Sequence, residues 1–321
     1  MTTTDSSATP QTPKGKRRIG DVVFANTASG SGILILAILA GVAAFLIIQS
    51  VDSLGANTAN FFTTTGWDAN TREAPAFGVA ALAFGTVLAA AIALLIATPI
   101  AVGIALFIAY YAPRKLASVL GYIVDLLAAI PSVVYGLWGI GYLVHQLTPF
   151  YQWLSTSFGW IPLFAGPVSS TGRTMMSAGI VLAVMILPII TAISRDVFLQ
   201  VPQAHREAAL SLGATRWEMI RMAVLPFGRA GIIGGAMLGL GRALGETMAV
   251  AMILSPALVI SPHLLQSGNQ TIAAHIALQY PEATGYGVSA LIAAGLVLFA
   301  ITLVVNMGAR YIVARRKEFT E

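Results

Sequence analysis

Apolar runs recur along the chain at about 31–49, 76–111, 119–145, 177–197, 229–256 and 288–309, separated by polar or charged stretches. A bilayer core needs roughly 20 mostly apolar residues per helix, so each run qualifies as a spanning segment. The second is too long for one simple span and too short for two. Thr98-Pro99 lies inside it and predicts a kink there, because proline removes a backbone donor. The pattern predicts an all-α, polytopic membrane protein of six transmembrane helices. Composition agrees: of 321 residues, 57% are hydrophobic and only 10% charged, where a soluble protein carries about 25% charge. The chain contains no Cys, which excludes disulfides, thiolate metal sites and cysteine nucleophiles.

Charge placement sets the expected orientation. With six spans, one side receives Lys14, Lys16, Arg17 and Arg18, then Arg114 and Lys115. The same side receives Arg195, Arg206, Arg216, Arg221 and Arg229, and finally Arg310, Arg315, Arg316 and Lys317. The other receives only Arg72 and Arg173. Reading 76–111 as two spans would export most of these cations, so it is one long helix and both termini are expected in the cytoplasm. The division expected is a disordered tail over 1–20, a membrane domain over 21–316 and a short tail over 317–321. No cleaved signal peptide is read in the polar N-terminal stretch; the first apolar run serves as an uncleaved span. Trp153 and Trp160 fall in an outer loop and suit interfacial anchoring.

The loop between spans four and five reads RDVFLQVPQAHREAALSLGATRWEMIRMAVLPFGRA. A short amphipathic helix is predicted over 203–212, followed by a tight turn at Gly213, where a Cβ would hinder the chain. Thr215 and Glu218 form a capping-box pair for a second helix, and Pro226 is expected to end it before span five. The result is a knob of helix, turn and helix between two spans.

Span five carries Arg242 and Glu246. Four residues apart on one helix, they share a face and lie within reach of each other. A lone charge at mid-bilayer costs about 3 kcal/mol or more, so the pair is expected to face protein or water. Two readings stand: a substrate pathway, or an ion pair locking this helix to a neighbour. For an anionic substrate the guanidinium of Arg242 is the natural attractive group. Glycines at 231, 235 and 239, and at 241 and 245, form small-xxx-small ridges suited to close helix packing. Asp125 is expected near the interface. His145, His263 and His275 are scattered, and no metal site is read among them. No G-x-x-x-x-G-K-[ST] loop occurs, so the chain carries no nucleotide site of its own.

Two sets of residues carry a family resemblance. Glu207-Ala208-Ala209, Gly213 and Leu225-Pro226 resemble the EAA loop of ABC-importer permeases, although Ala223 stands where that pattern often has Ile. GRALGETMAV (241–250) and AIPSVVYG (129–136) resemble the permeases of phosphate importers, the PstC branch more than PstA. The resemblance implies the type I importer permease fold and a multi-pass place in the cytoplasmic membrane of a prokaryote. It implies a heterodimer with a PstA-like permease, two PstB-like ATPase subunits that bind ATP and Mg, and an external PstS-like phosphate-binding protein. On this chain no cofactor is implied. Arg242 and Glu246 are implicated in transport, and Glu207, Ala208, Ala209, Gly213, Leu225 and Pro226 in coupling to the ATPase. Ser132 and Tyr135 are open to two readings, pathway hydroxyls or packing. Another oxyanion, such as sulfate or molybdate, would fit the same arginine; an ion channel or an intramembrane enzyme are the rivals from other classes.

Overall fold

The computed structural model describes residues 19–71 and 73–317. The basic residues Lys14 to Arg18, Arg72, and the side chains of Arg315, Arg316 and Lys317 lie outside the described residues. The chain divides into two units, residues 1–45 and 46–321. Helix α1 (Ile19–Ala56) supplies the described part of the first and runs into the second. Its most apolar window buries no side chain within the protein, as suits a helix whose solvent is lipid.

In the second unit a short hairpin, β1 (Trp67–Asp68) with β2 (Ala76–Phe77), precedes α2 (Ala80–Leu106). A π turn over Phe107–Tyr111 extends α2, which contains Pro99 and is one helix. Then follow α3 (Arg114–Ala128), α4 (Ser132–Trp138), a second π turn and α5 (Val144–Phe158). After α6 (Met175–Leu199) come α7 (Gln203–Ser211), α8 (Arg216–Met219), α9 (Leu225–Leu244) and α10 (Met248–Ile253). The described chain closes with α11 (Ile272–Gln279) and α12 (Gly287–Lys317). Among the described residues, 5 helices are long and apolar enough to cross a membrane, or 6 if the bent pair of Arg114–Ala128 with Ser132–Phe158 is one span.

Two expected spans are therefore not continuous helices. The third, read as 119–145, turns by 92° between Ala128 and Ser132, because Pro131 has no N–H and pushes Ile130 out of helical geometry. The fifth, read as 229–256, stops at Leu244 and restarts at Met248.

Helix α6 is the hub of the core. Its inner residues Val181, Leu182, Met185, Ile186 and Ile190 are buried against the alanine stripe of α2, where Ala89, Ala93, Ala97 and Ala101 are also buried. Lipid tails are as apolar as these side chains, so close packing rather than hydrophobic transfer holds such helices together. The expected ridge at 231, 235 and 239 is this kind of contact: a Cβ on Gly231 would fall 2.3 Å from Val197, one on Gly235 3.3 Å from Ile193 and one on Gly239 3.1 Å from Ile190. The second ridge packs against nothing, since a Cβ on Gly241 would meet no atom within 4 Å. At the opposite end, Thr86 accepts a hydrogen bond from the Ile272 amide (2.9 Å), tying the start of α11 to α2. Asp125 pairs with Arg195 of α6 at 3.7 Å, across the helix-side space left by Gly121.

Candidate functional site

Tertiary packing brings the two interrupted segments together. Helix α4 lies on α10, and a Cβ on Gly136 would approach within 2.9 Å of the Ala249 Cα and 3.0 Å of the Met252 sulfur. Gly139 sits equally close to Ile253 and Val181. The AIPSVVYG and GRALGETMAV stretches, more than a hundred residues apart in sequence, thus form one contact.

Each interruption frees backbone groups that water cannot reach in lipid, and each is answered by a side chain. In a continuous helix the Leu127 carbonyl would accept from residue 131, which is Pro131. The Tyr135 hydroxyl donates to that carbonyl instead, at 2.9 Å. Tyr135 is buried and its hydroxyl donates to the backbone. Ser132 is half-buried at the start of α4, and its hydroxyl makes no hydrogen bond among the described residues.

At the second interruption Gly245 closes α9, and Glu246 lies outside both helices. The expected i to i+4 pair with Arg242 does not form, because the helix that would align the two residues has already ended. Glu246 is 8% exposed, and its Oε1 accepts from the Ala249 amide at 3.0 Å, capping the start of α10. Gly245, with the capping-type residue Thr247 two positions on, was the sequence signal for this break.

Arg242, left without an ion pair or hydrogen bond among the described residues, is half-buried. It lines a cavity of about 680 Å³ between α9 and α12, with Gly234, Leu238, Gly241, Asn306 and Arg310. The open faces of Gly234 and Gly241 belong to this cavity. A free guanidinium there offers a forked donor set to an oxyanion.

A third element escaped the sequence reading. Arg173 reaches α10 from the loop before α6: its Nε donates to the Ile253 carbonyl (3.2 Å), and its Nη2 to those of Met252 (3.3 Å) and Leu254 (2.7 Å). An isolated arginine in a polar loop carries no sequence signal for that role.

The 203–226 loop forms the predicted knob. Helix α7 ends at a turn in which Gly213 takes φ +84°, and both bonds of the Thr215–Glu218 capping box are present. Glu207 and Ala208 are exposed, whereas Ala209 is buried against Met219 and Ile220. Leu212 stands 87% exposed at the tip. Pro226 does not end the second helix, as expected, but is built into it. A π turn over Ile220–Val224 lets the Leu225 amide reach the Ile220 carbonyl and carries the chain past the donor that Pro226 lacks. Arg216 to Leu244 is one helical run of 29 residues. Arg206 of α7 lies over the Tyr110 ring at 5.9 Å, and the Tyr110 hydroxyl donates to the Phe198 carbonyl at 2.5 Å, so the knob is also fastened to α2 and α6.

A multi-pass helical protein with broken spans and a rigid knob on one end is the architecture of a transport permease. The family profile described as binding-protein-dependent transport system inner membrane component matches residues 101–318, and the chain belongs to this family. It is 48% identical over 302 residues to the phosphate transport system permease protein PstC 2 of Mycobacterium tuberculosis, covering 92% of each chain. With PstC of Mesorhizobium japonicum it shares 43% identity (92% of this chain, 90% of that one), and with PstC of Haemophilus influenzae 37% (92% and 94%). Within the family it groups with the PstC-type permeases. Solved structures show the same fold. A chain of a bacterial alginate ABC transporter, in complex with its alginate-bound periplasmic protein, matches with a TM-score of 0.58 at 16% identity (92% and 95% covered). A chain of the inward-facing MetNI methionine ABC transporter matches at 0.50 and 17% (72% and 90% covered).

The hydrogen bond of Tyr135 has a measurable consequence. Tyr135→Phe leaves the Leu127 carbonyl with backbone donors alone, the Ile130 amide among them, at a cost of about 0.5–1.5 kcal/mol. Thermal unfolding of the purified protein in detergent should show a correspondingly lower midpoint.

Proposed function

We propose that this chain is the permease subunit of an ATP-driven importer that moves inorganic phosphate across the cytoplasmic membrane of a prokaryote by alternating access. The observation that carries the reading is the continuous 29-residue helix joining the Gly213-hinged knob to the cavity around Arg242. Movement imposed on the knob is conveyed to the segment that faces the anion, since its second helix, the π turn and α9 form one helical run. The names of its relatives support phosphate as the substrate.

In this scheme both termini and the knob face the cytoplasm. The knob seats on one of two PstB-like subunits, which bind ATP and Mg and hydrolyse the nucleotide; this chain performs no chemistry. A PstA-like permease completes the cavity, and a PstS-like binding protein delivers phosphate from outside. Exposed Glu207, Ala208 and Leu212 form the docking tip; buried Ala209 and the Arg206–Tyr110 contact hold that tip to the membrane helices. Leu225 and Pro226 belong to the turn that makes knob and helix continuous. Arg242 receives the anion as a forked donor. Glu246 sets the start of α10 and so the wall beside it.

Glu246→Ala is expected to abolish phosphate uptake in vesicles carrying the assembled complex, while co-purification of the partner subunits persists. Gly213→Val forces a β-branched side chain into the left-handed region, where only glycine is at ease. ATP hydrolysis should then run without phosphate uptake, or the ATPase should detach, in a coupled ATPase and transport assay. A single free arginine would also fit sulfate or molybdate. Competition with unlabelled sulfate and molybdate is expected to leave labelled phosphate uptake unchanged, and strong inhibition would instead assign a broader oxyanion permease.

A further inference from the structure

Helix α10 spans six residues and has both ends held by side chains from outside it. So short a helix has little stability of its own; core packing of Ala249, Val250 and Ile253 seats it, and those two restraints hold its ends. The carboxylate of Glu246 takes the amide at its start, and the guanidinium of Arg173 takes three successive carbonyls at its end. Cation at the carboxyl end and anion at the amino end also match the helix dipole.

Arg173 is itself anchored. Gly172 before it adopts φ +67°, and its carbonyl accepts from the Ser177 hydroxyl at 2.6 Å. Ser177 is bonded to Tyr151 of α5 at 2.8 Å, and Thr174 caps α6 through the Ser177 amide. The loop carrying Arg173 is also joined to the segment after α10: Ser169 donates to the Leu265 carbonyl, Met176 to that of Leu264, and Leu264 to that of Leu163. The two loops thus form one layer, joined to α10 by the chain at Leu254 and by the Arg173 guanidinium.

We infer that Arg173 is a positioning residue for transport. It fixes the far end of α10, sets where Glu246 stands beside Arg242, and links the 163–176 and 254–267 loops to the anion path. Displacement of those loops, as on arrival of a binding protein, reaches Glu246 through this contact. The inference rests on the permease reading given above.

The chain contains no cysteine, so a single Cys introduced at Met248, which is 47% exposed at the start of α10, reports on that helix. A Cys at the exposed Thr71 serves as the control. The assembled complex in vesicles is compared with Arg173 intact, Arg173→Gln and Arg173→Lys, following labelled phosphate uptake and the rate of maleimide labelling. Arg173→Gln should lower the maximal uptake rate at least about tenfold with little change in KM, since Arg242 is untouched. Labelling at position 248 should change several-fold, and labelling at position 71 should not. Arg173→Lys, which reaches fewer carbonyls, should fall between on both readouts. Uptake in Arg173→Gln equal to that of the unmodified complex would overturn the inference, as would lost uptake with unaltered labelling at 248. Where Arg173→Gln does not assemble, Arg173→Lys decides: values matching the unmodified complex on both readouts count against the proposal. Should the unmodified complex import no phosphate, the permease reading fails, while the labelling comparison still reports whether Arg173 places α10.

Discussion

In hydrocarbon a freed backbone group has no water to turn to, and this constraint shapes the centre of the protein. Two membrane segments are interrupted, at Ala129–Pro131 and at Gly245–Thr247, and each interruption exposes carbonyls or amides that a helix would have paired. Tyr135 answers the first; Glu246 and Arg173 answer the second from opposite ends of α10. The two interruptions then pack against each other because Gly136 has no side chain to hold Ala249 away. Ala129, Pro131 and Gly245 at the two breaks are exposed, while Tyr135 and Glu246, whose side chains answer them, are buried.

This arrangement divides labour between the two charges that the sequence sets side by side. Glu246 is spent on structure, at the start of a short helix. Arg242 keeps its donors free and faces a cavity with Asn306 and Arg310. A salt bridge between them would have neutralised the group best suited to an anion, and competing with a buried carboxylate would have weakened any anion bound there. Separating them by a helix end leaves Arg242 half-buried beside the cavity and without a partner among the described residues.

The other end of the molecule is built for stiffness. The π turn before Leu225 lets the chain pass Pro226 without a break, so the second helix of the knob and α9 form one helical run. The ridge of Gly231, Gly235 and Gly239 lets that run lie close on α6, in a contact that small residues make smooth enough to slide. The second helix of the knob and Arg242 thereby lie on one helical run.

Much of this was legible in the chain. Runs of apolar residues located the membrane segments, and Gly213, Thr215 and Glu218 specified the turn and cap of the knob, because these depend on neighbours within a few residues. The sequence alone determined a polytopic helical membrane protein with a glycine-hinged knob and charges sunk in its fifth segment. Only the tertiary structure decided that the third and fifth segments break, that Glu246 turns from Arg242 to the Ala249 amide, that Tyr135 serves a carbonyl, and that Arg173 closes α10 from some eighty residues away. The reason is physical: helix periodicity and turn chemistry are local, whereas a freed backbone group is satisfied by whatever side chain the fold carries to it.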